Sequence, residues 1–309
     1  MMTTSIIADT FNELYSRSVA ELVARGEYVE PRGQPCIEIL NPQLILTDPS
    51  KCLITIPSRK MNYAYAIIEK LQYLSMRSDV DTICWYNQNM RRFVNERTGQ
   101  FDGAYGLRIL DNDQLNWCFK KLREDPMTRQ AVVTIHDQRD CIETLDPACT
   151  LSFQFLIRGG KLHMTCNMRS NDILWGTCLD IQAFCFIQQV MAFWLGIPMG
   201  NYIHQPASLH YYKDREEQVI APMTEWENNQ LVNNCELVPA WDVAQEDSQE
   251  ALDAFWQEEK NLRNRVEPDW ESIKSKALTS YLKRLQQYIF TKYEKEVLEG
   301  TVQTPTITT

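Results

Sequence analysis

The most restrictive feature of the sequence is the run IQAFCFIQQVMAFWL at positions 181–195, which carries no charged side chain. Apolar residues occupy nearly every side of the helix that this run would form, so the pattern predicts a helix buried in a core. Asp180 stands immediately before the run. Because a buried carboxylate without a partner is costly, we expect Asp180 either to cap the start of the helix or to meet a specific partner.

The rest of the chain is large enough to build such a core. It has 309 residues, a mass of 36.1 kDa and 44% apolar residues, which suits one large soluble domain or two smaller ones. The net charge is −10 and no basic block occurs, so we expect no nucleic-acid polymer as a partner.

No feature indicates a membrane, a secretory signal or a metal site. No run of about 18 uncharged apolar residues occurs, and MMTTSIIADTFNELYSR carries acids where a secretory signal is basic. We therefore expect a cytoplasmic location, which is the host cytoplasm if the protein is viral. Ten cysteines are scattered without CxxC pairs, which is typical of reduced thiols and indicates neither a disulfide framework nor a bound metal.

Hydrophobic periodicity divides the chain into helices and strands. It predicts helices at residues 5–25, 62–76 and 111–124 and, beyond the core helix, at about 248–264 and 269–299. It predicts strands in CIEILNPQLILTDP and AVVTIHD and a hairpin in LSFQFLIRGGKLHMTCNMR. The resulting division is an N-terminal helix (1–27), a core (28–214), a mostly helical C-terminal extension (215–300) and a disordered tail (301–309).

One group of residues is suited to nucleophilic chemistry. Cys149 lies where a loop enters a strand, and the predicted hairpin returns Arg169 close to it. Most unpaired cysteines are inert, but a guanidinium beside a thiol favours the thiolate. The paired N–H donors of the Arg169 guanidinium and the hydroxyl of Ser170 also suit binding of a phosphate.

Two further positions carry polar groups in apolar surroundings. His210 and Tyr212 are two residues apart, so they point to the same face of a strand. Glu69 stands in the middle of the predicted helix 62–76, where an ordinary solvated glutamate is the alternative.

These signals, in this order along the chain, resemble the thymidylate synthase superfamily. The matching elements lie between about residues 28 and 214 and are the Arg32 loop, Glu69 in a helix, Tyr105-Gly106, DPMTRQ, PACT followed by FQF, RSNDxxxG with Asp180 four residues after its glycine, and SLHYY. The resemblance implies an α+β fold: a thymidylate-synthase-like three-layer structure with a large bent mixed sheet at a homodimer interface and flanking helices.

The resemblance also implies roles for individual residues. Cys149 would add to C6 of a pyrimidine nucleoside monophosphate, and Glu69 and Tyr105 would assist proton transfers. The 5′-phosphate would be held by Arg32, Arg169, Ser170 and, from the partner subunit, Arg129. His210 and Tyr212 would bind the sugar, and Asp172 would contact the co-substrate, 5,10-methylenetetrahydrofolate.

Two departures from the synthase pattern indicate a different base and product. Asp180 stands where a synthase has an asparagine that reads uracil, and a carboxyl can accept from N4–H₂ of cytosine and exchange a proton with N3. An ionised Asp180 would repel uracil O4. Thr150 follows the nucleophile where synthases usually have histidine. The Cys149-Thr150 pair, the RSND string and the SLHxY string resemble the deoxycytidylate hydroxymethylases of T-even phages, which implies 5-hydroxymethyl-dCMP and tetrahydrofolate as products.

Several alternatives remain open at this stage. They are a CMP hydroxymethylase of the nucleoside-antibiotic type, a dCMP methyltransferase, and a catalytically silent relative that binds a nucleotide or RNA. Gln130 stands where the family commonly has a second arginine, and Met168 replaces a polar residue before Arg169.

Overall fold

The computed structural model describes residues 4–141, 144, 146–229 and 238–298. By its internal contacts the chain divides into two units, Met1–Val238 and Pro239–Thr309. The expected disordered tail, 301–309, lies outside the described residues.

The first unit contains ten strands and seven α-helices within the described residues. The strands are β1 (Ser5–Ala8), β2 (Glu27–Val29), β3 (Cys36–Leu40), β4 (Gln43–Leu46), β5 (Val132–Thr134), β6 (Thr150–Arg158), β7 (Lys161–Met168), β8 (Asn171–Asp172), β9 (Met199–Pro206) and β10 (Ser208–Tyr212). The helices are α1 (Phe11–Arg25), α2 (Tyr63–Tyr73), α3 (Val80–Tyr86), α4 (Tyr105–Ile109), α5 (Gln114–Glu124), α6 (Gly176–Leu195) and α7 (Glu216–Asn229).

The strands form two mixed sheets. The larger has the order β1-β4-β9-β7-β6-β5, with parallel pairs β1–β4 and β7–β9 among antiparallel neighbours. The smaller has the order β2-β3-β10-β8 and ends on the parallel pair β10–β8. Helices and mixed sheets together confirm the predicted α+β class.

The hairpin β6–β7 is confirmed. Gly159 and Gly160 form its turn with φ of 57° and 71°, values that glycine adopts without steric cost. The register of β6 shifts between Thr150 and Ser152, so a bulge lies directly after Cys149. Bulges of this kind redirect side chains at the end of a strand.

The predicted core helix is confirmed, but it starts earlier than residue 181. Helix α6 begins at Gly176 and packs against α2, α5, β7 and β9. By length and composition it could cross a membrane, but most of it is buried inside the fold, as in the core helix of a soluble protein. Because Asp180 lies in the second turn, the helix-cap interpretation of Asp180 is wrong.

Two other boundaries differ from the prediction. Residues 5–8 form β1, not helix, because their alternating exposed and buried side chains suit pairing with β4; α1 then starts after Thr10, whose hydroxyl accepts from the Glu13 N–H. Helix α7 was not predicted. It extends the first unit beyond residue 214 because it packs on α1, where the Tyr15 hydroxyl donates to the Val219 carbonyl at 3.2 Å.

The second unit is helical, as predicted for this region. It contains α8 (Ser248–Arg263) and α9 (Lys276–Leu298), which pack on each other. Helix α9 starts at Lys276 rather than at residue 269, because the Asp242 carboxylate accepts the Lys276 N–H at 2.7 Å and so caps the first turn.

Candidate active site

A cavity of about 180 Å³ brings together all four residues that we predicted to be catalytic. We call it the first cavity, and its lining includes Cys149, Glu69, Tyr105 and Asp180. They come from the start of β6, from α2, from α4 and from α6, so no two neighbour each other in sequence. The spacing of the motifs alone does not reveal this convergence.

Arg169 lies against the predicted nucleophile. Its Nη2 is 3.3 Å from the Cys149 Sγ, while its Nε and Nη2 also donate to the carbonyls of Ala148 and Pro147 at 3.0 Å each. Burial raises the pKa of Cys149, and the charge of Arg169 and a hydrogen bond from Ser170 lower it only in part. The resting thiol is therefore protonated at neutral pH, and Arg169 stabilises the thiolate once it forms.

Tyr105 is held by the backbone of the nucleophile. The N–H groups of Cys149 and Thr150 both donate to its phenolic oxygen, at 3.2 Å each. Burial, together with the nearby Asp180 and Cys149, raises the pKa of Tyr105 well above its usual range. Tyr105 is thus a neutral phenol whose own O–H is free to donate within the cavity, rather than a phenolate base.

Glu69 and Asp180 are two carboxyl groups withdrawn from bulk solvent in the same cavity. Burial raises the pKa of Glu69 to about 7, although the Tyr65 hydroxyl, which donates to Glu69 Oε1 at 2.7 Å, acts in the opposite direction. Burial and the charge of Glu69 raise the pKa of Asp180 to about 8. Asp180 is therefore mostly neutral near pH 7, and the repulsion between an ionised Asp180 and uracil O4 that we expected does not operate there.

The raised pKa of Asp180 makes stability depend on pH. A carboxyl whose pKa rises on folding from 3.8 to about 8 favours the folded state below pH 4 and progressively loses that contribution as pH rises towards 8. The amide in Asp180→Asn does not ionise, so we expect this variant not to show the loss. The free energy of unfolding of the variant, minus that of the unmutated protein, should increase by about 1 kcal/mol for each pH unit across this range. Denaturant unfolding of both proteins between pH 5 and 8 measures it; parallel curves would contradict the assignment.

Asp172 holds the turn that precedes α6, whose N-cap residue, Trp175, makes no side-chain capping hydrogen bond. Its Oδ1 accepts from the N–H groups of Leu174 and Trp175 at 2.6 and 3.0 Å, just before α6. Burial raises its pKa. Asp172 therefore shapes the turn into α6 and also lines a second cavity.

The second cavity has a volume of about 760 Å³ and contains predicted ligand-binding residues. Its lining includes Arg32, Asp172 and Tyr212 together with residues that we had not assigned: Arg92, Phe93, Trp175, Lys213 and Arg215. The Arg215 guanidinium lies 5.5 Å above the Trp175 ring. Aromatic faces beside basic groups suit a planar ring that carries a negatively charged tail.

His210 and Tyr212 share one face of β10, as predicted from their spacing, with ring centroids 5.3 Å apart. The His210 Nδ1 is buried and has no hydrogen-bond partner among the described residues. Burial lowers the pKa of His210 although the neighbouring Asp172 opposes this, so the imidazole is neutral. His210 lies outside the linings of both cavities, so its predicted contact with the sugar stays a prediction.

Arg129 lies outside both cavities. It is exposed, and its carbonyl accepts from Gln154 Nε2 at 3.0 Å. A single chain does not test whether Arg129 reaches the site of a partner subunit, so that role stays a prediction.

Sequence reasoning missed an ion pair that positions the loop before Cys149. The side chains of Arg108 and Asp140 are 8% and 1% exposed and lie 2.6 Å apart, and Asp140 also accepts from the N–H groups of Asp137 and Ala148. Burial opposes ionisation of Asp140, but these hydrogen bonds outweigh it and hold its pKa below the usual value. Nothing local in the sequence pairs residues that are 32 positions apart.

We expect Arg108→Met to lower the free energy of unfolding by about 3–5 kcal/mol, because it leaves the buried Asp140 carboxylate without its cation. Urea unfolding followed by far-ultraviolet circular dichroism measures the change. Arg139→Met is the matched control, since its ion pairs with Asp111 and Asp137 are solvent-exposed and we expect it to cost less than about 1 kcal/mol. Equal effects of the two substitutions would contradict the structural role of Arg108.

Other residues of the site were also missed. Asp146 lines the first cavity and accepts the Gly103 N–H at 3.0 Å, and Tyr65 orients Glu69 from one helical turn away. The spacing of Tyr65 and Glu69 in a helix is a signal that could have identified that pair. Among the described residues, no group of three or more His, Cys, Asp or Glu is arranged to hold a metal ion.

Comparisons with known proteins agree with this geometry. Residues 13–257 match the family model described as thymidylate synthase. The chain is 33% identical over 219 residues to a deoxyuridylate hydroxymethyltransferase of Bacillus phage SP01, covering 65% of this chain and 57% of that protein. It is 26% identical over 229 residues to the deoxyuridylate hydroxymethyltransferase of Delftia phage PhiW-14, covering 70% and 64%.

A bacterial thymidylate synthase, from Symbiobacterium thermophilum, is 28% identical over 132 residues, or 40% of this chain and 46% of that protein. The matched regions thus span about half to two thirds of the length of these relatives. Since the family model covers well over half of the chain and the fold is α+β with mixed sheets, the chain belongs to the thymidylate synthase family.

Proposed function

We propose that this protein is a folate-dependent hydroxymethylase that converts dCMP to 5-hydroxymethyl-dCMP. The observation that carries the proposal is the convergence of Cys149, Glu69 and Tyr105 on one cavity with the carboxyl of Asp180. Asp180 is 9% exposed and mostly neutral near pH 7, so it offers one O–H donor and one acceptor oxygen. Cytosine presents a complementary acceptor at N3 and donor at N4.

The first step that this geometry supports is addition of Cys149 to C6 of the base. The thiol proton must leave, and the Arg169 guanidinium at 3.3 Å stabilises the sulfur anion. Addition makes C5 nucleophilic and places negative charge towards N3, where the proton of Asp180 can be transferred. Asp180 thereby stabilises the adduct of a cytosine without itself forming a bond to carbon.

The later steps require proton transfer near C5. After transfer of the one-carbon unit, C5 loses its proton and an exocyclic methylene remains on the nucleotide. Water adds to that methylene and gives up a proton, while Cys149 departs and restores the C5–C6 double bond. With a pKa of about 7, Glu69 can both accept and return protons near neutral pH. Tyr105 is positioned to orient water through its free O–H.

We propose that the second cavity binds 5,10-methylenetetrahydrofolate, because its lining combines aromatic and basic side chains. Phe93 and Trp175 would pack on its rings, Asp172 would contact the pterin, and Arg92, Lys213 and Arg215 would attract its glutamate carboxylates. When bound, the folate supplies the one-carbon unit at the oxidation level of formaldehyde. Hydroxymethylation then releases tetrahydrofolate without a change in redox state.

The remaining contacts belong to the nucleotide and to the assembly. Arg32 and Ser170 would hold the phosphate with Arg169, and His210 and Tyr212 would hold the sugar hydroxyl. We propose a homodimer in the cytoplasm in which Arg129 of one subunit reaches the phosphate in the other. The exposed position of Arg129, away from its own cavities, supports this arrangement.

A second candidate is hydroxymethylation of dUMP. Two relatives carry the name deoxyuridylate hydroxymethyltransferase, and a neutral Asp180 can pair with uracil if its donor and acceptor oxygens are reversed. CMP hydroxymethylation and dCMP methylation are further enzymatic alternatives. A nucleotide- or RNA-binding role without catalysis accounts less well for a cysteine, an arginine and two carboxyl groups around one cavity.

One assay separates these candidates. The protein is incubated with formaldehyde, tetrahydrofolate and either dCMP, dUMP or CMP, each tritiated at C5, and products are identified by mass spectrometry. We expect tritium release and the hydroxymethyl product with dCMP above all. Dihydrofolate formation would identify a methyltransferase instead, and turnover of dUMP alone would establish the second candidate. Absence of turnover with all three nucleotides would refute a hydroxymethylase.

A further inference from the structure

A buried chain of hydrogen bonds lies behind Asp180. Asn171 of β8 donates from Nδ2 to Asp180 Oδ2 at 2.7 Å. The Asn171 Oδ1 accepts from the Thr177 hydroxyl at 2.5 Å and lies 2.9 Å from His204 Nε2. The His204 Nδ1 is in turn 2.9 Å from the Tyr202 hydroxyl.

The partners of the Asn171 amide assign a direction to these hydrogen bonds. Burial lowers the pKa of His204 to about 3, so the ring is neutral and one nitrogen carries hydrogen. We assign the ring hydrogen to Nε2, because the Asn171 Oδ1, which accepts from Thr177, lies 2.9 Å away. Nε2–H then donates to Asn171 Oδ1, and the Tyr202 hydroxyl donates to Nδ1. Two donors at Oδ1, from His204 and Thr177, prevent the Asn171 amide from rotating by 180°, so its NH₂ group must face Asp180.

The backbone at Gly176 keeps this contact intact. A Cβ at position 176 would lie 2.7 Å from Asn171 Nδ2 and 3.4 Å from Asp180 Oδ2. Any side chain there would push the amide away from the carboxyl, which explains the glycine of the RSNDxxxG motif. The described side chains of Asn171, Thr177 and His204 are all at most 4% exposed, so bulk solvent does not reach these hydrogen bonds.

We propose that Asn171 is a positioning residue that determines base specificity: it makes Asp180 Oδ2 an obligatory acceptor, so the exchangeable proton of Asp180 resides on Oδ1. The carboxyl then presents acceptor and donor in one fixed order to a bound pyrimidine. Cytosine has an acceptor at N3 and a donor at N4, whereas uracil has a donor at N3 and an acceptor at O4. This inference rests on the proposed function for the identity of the base.

Asn171 would also orient an amide placed at position 180. An asparagine at 180 would also have to present its oxygen to Asn171, so its amide would keep the donor–acceptor order of neutral Asp180. Asp180→Asn alone would therefore lose the proton exchange that cytosine needs without gaining efficient recognition of uracil. Reversing the order requires a change at position 171 as well.

The exchange of the two side chains, Asn171→Asp with Asp180→Asn, tests this directly. The swap preserves composition and size, and the carboxyl oxygens at 171 can still accept from Thr177 and His204. It forces the amide at 180 to turn its NH₂ group towards 171 and so reverses the order. Dissociation constants for dCMP and dUMP are measured by calorimetry for the swap, for Asp180→Asn and for the unmutated protein.

We expect the swap to change the ratio of dUMP to dCMP affinity by at least about tenfold relative to Asp180→Asn. Gln188→Glu is the matched control, because it replaces another buried amide of α6, whose Nε2 donates to the Leu162 carbonyl at 2.8 Å. It should leave the affinity ratio unchanged. Ratios for the swap and for Asp180→Asn that agree within about twofold would overturn the inference.

An infrared measurement tests the same inference without any nucleotide. The band of the neutral Asp180 carboxyl is identified as the carbonyl-stretch signal that Asp180→Asn removes. In Thr177→Val the Asn171 amide loses one of the donors that hold it, so the band should shift or broaden, whereas Gln188→Met, which introduces no carboxyl group, should not alter it. An unchanged band in Thr177→Val would overturn the inference even if the protein turned over no nucleotide, whereas a failed turnover assay would refute only the proposed function.

Discussion

Cys149→Ser is expected to abolish turnover of dCMP, with a loss of at least about 10³-fold in kcat, while nucleotide affinity changes by less than about tenfold. A serine hydroxyl ionises far less readily than a thiol, and Arg169 at 3.3 Å does not compensate for that difference. The shape of the first cavity and the remaining ligand contacts are retained. Tritium release from C5 and calorimetric titration with dCMP measure the two quantities separately.

Cys141→Ser provides the control for this substitution. Cys141 is exposed and lines neither cavity, so its replacement should leave turnover unchanged. If Cys149→Ser kept more than about a tenth of the activity, covalent addition through this sulfur would be excluded. If the unmutated protein bound dCMP without turnover, the non-catalytic alternative would gain support.

Asp180→Asn is expected to move the ratio of kcat/KM for dUMP to that for dCMP by about 10²-fold towards uracil. The change comes mainly from dCMP, because an amide cannot transfer a proton to N3 as the C6 adduct forms. Competition between the two nucleotides in a single reaction, followed by mass spectrometry of the products, measures the ratio. An unchanged ratio would show that Asp180 does not read the base.

The pH dependence adds an independent test of the same residue. Neutral Asp180 is the form that donates to N3, and with a pKa of about 8 in the free protein it is present below that pH and lost above it. Affinity for dCMP should therefore fall as pH rises from 7 to 9. The fall should be absent from Asp180→Asn, whose amide does not ionise.

Much of the site could be predicted from local pattern. In the β6–β7 hairpin the end of β7 lies beside the start of β6, and this places Arg169 near Cys149. The alternation of side chains along a strand was enough to put His210 and Tyr212 on one face of β10. Glu69 could not be distinguished locally from a solvated glutamate, because its burial depends on α6 and on the residues that surround the cavity.

Element boundaries were less predictable where a tertiary contact overrides the local signal. Residues 5–8 continue the helical periodicity of α1 but form a strand, since β4 offers an edge for parallel pairing. Helix α7 contains Pro222 and a polar surface, and its packing on α1 rather than its sequence pattern stabilises it. Asp180 resembled a helix cap because the apolar run starts after it, although α6 starts four residues earlier.

The sequence by itself determined the α+β class, the family and the presence of a carboxyl at position 180, and it identified Cys149 as the candidate nucleophile, since these depend on residue types and on the order of motifs. Only the tertiary structure decided the protonation state of that carboxyl and the direction of its hydrogen bonds. Both depend on desolvation and on partners from β8, β9 and α2, which are far apart in the chain. A carboxyl in water ionises near pH 4, and it is the packed surroundings of Asp180 that keep it neutral and orient its proton.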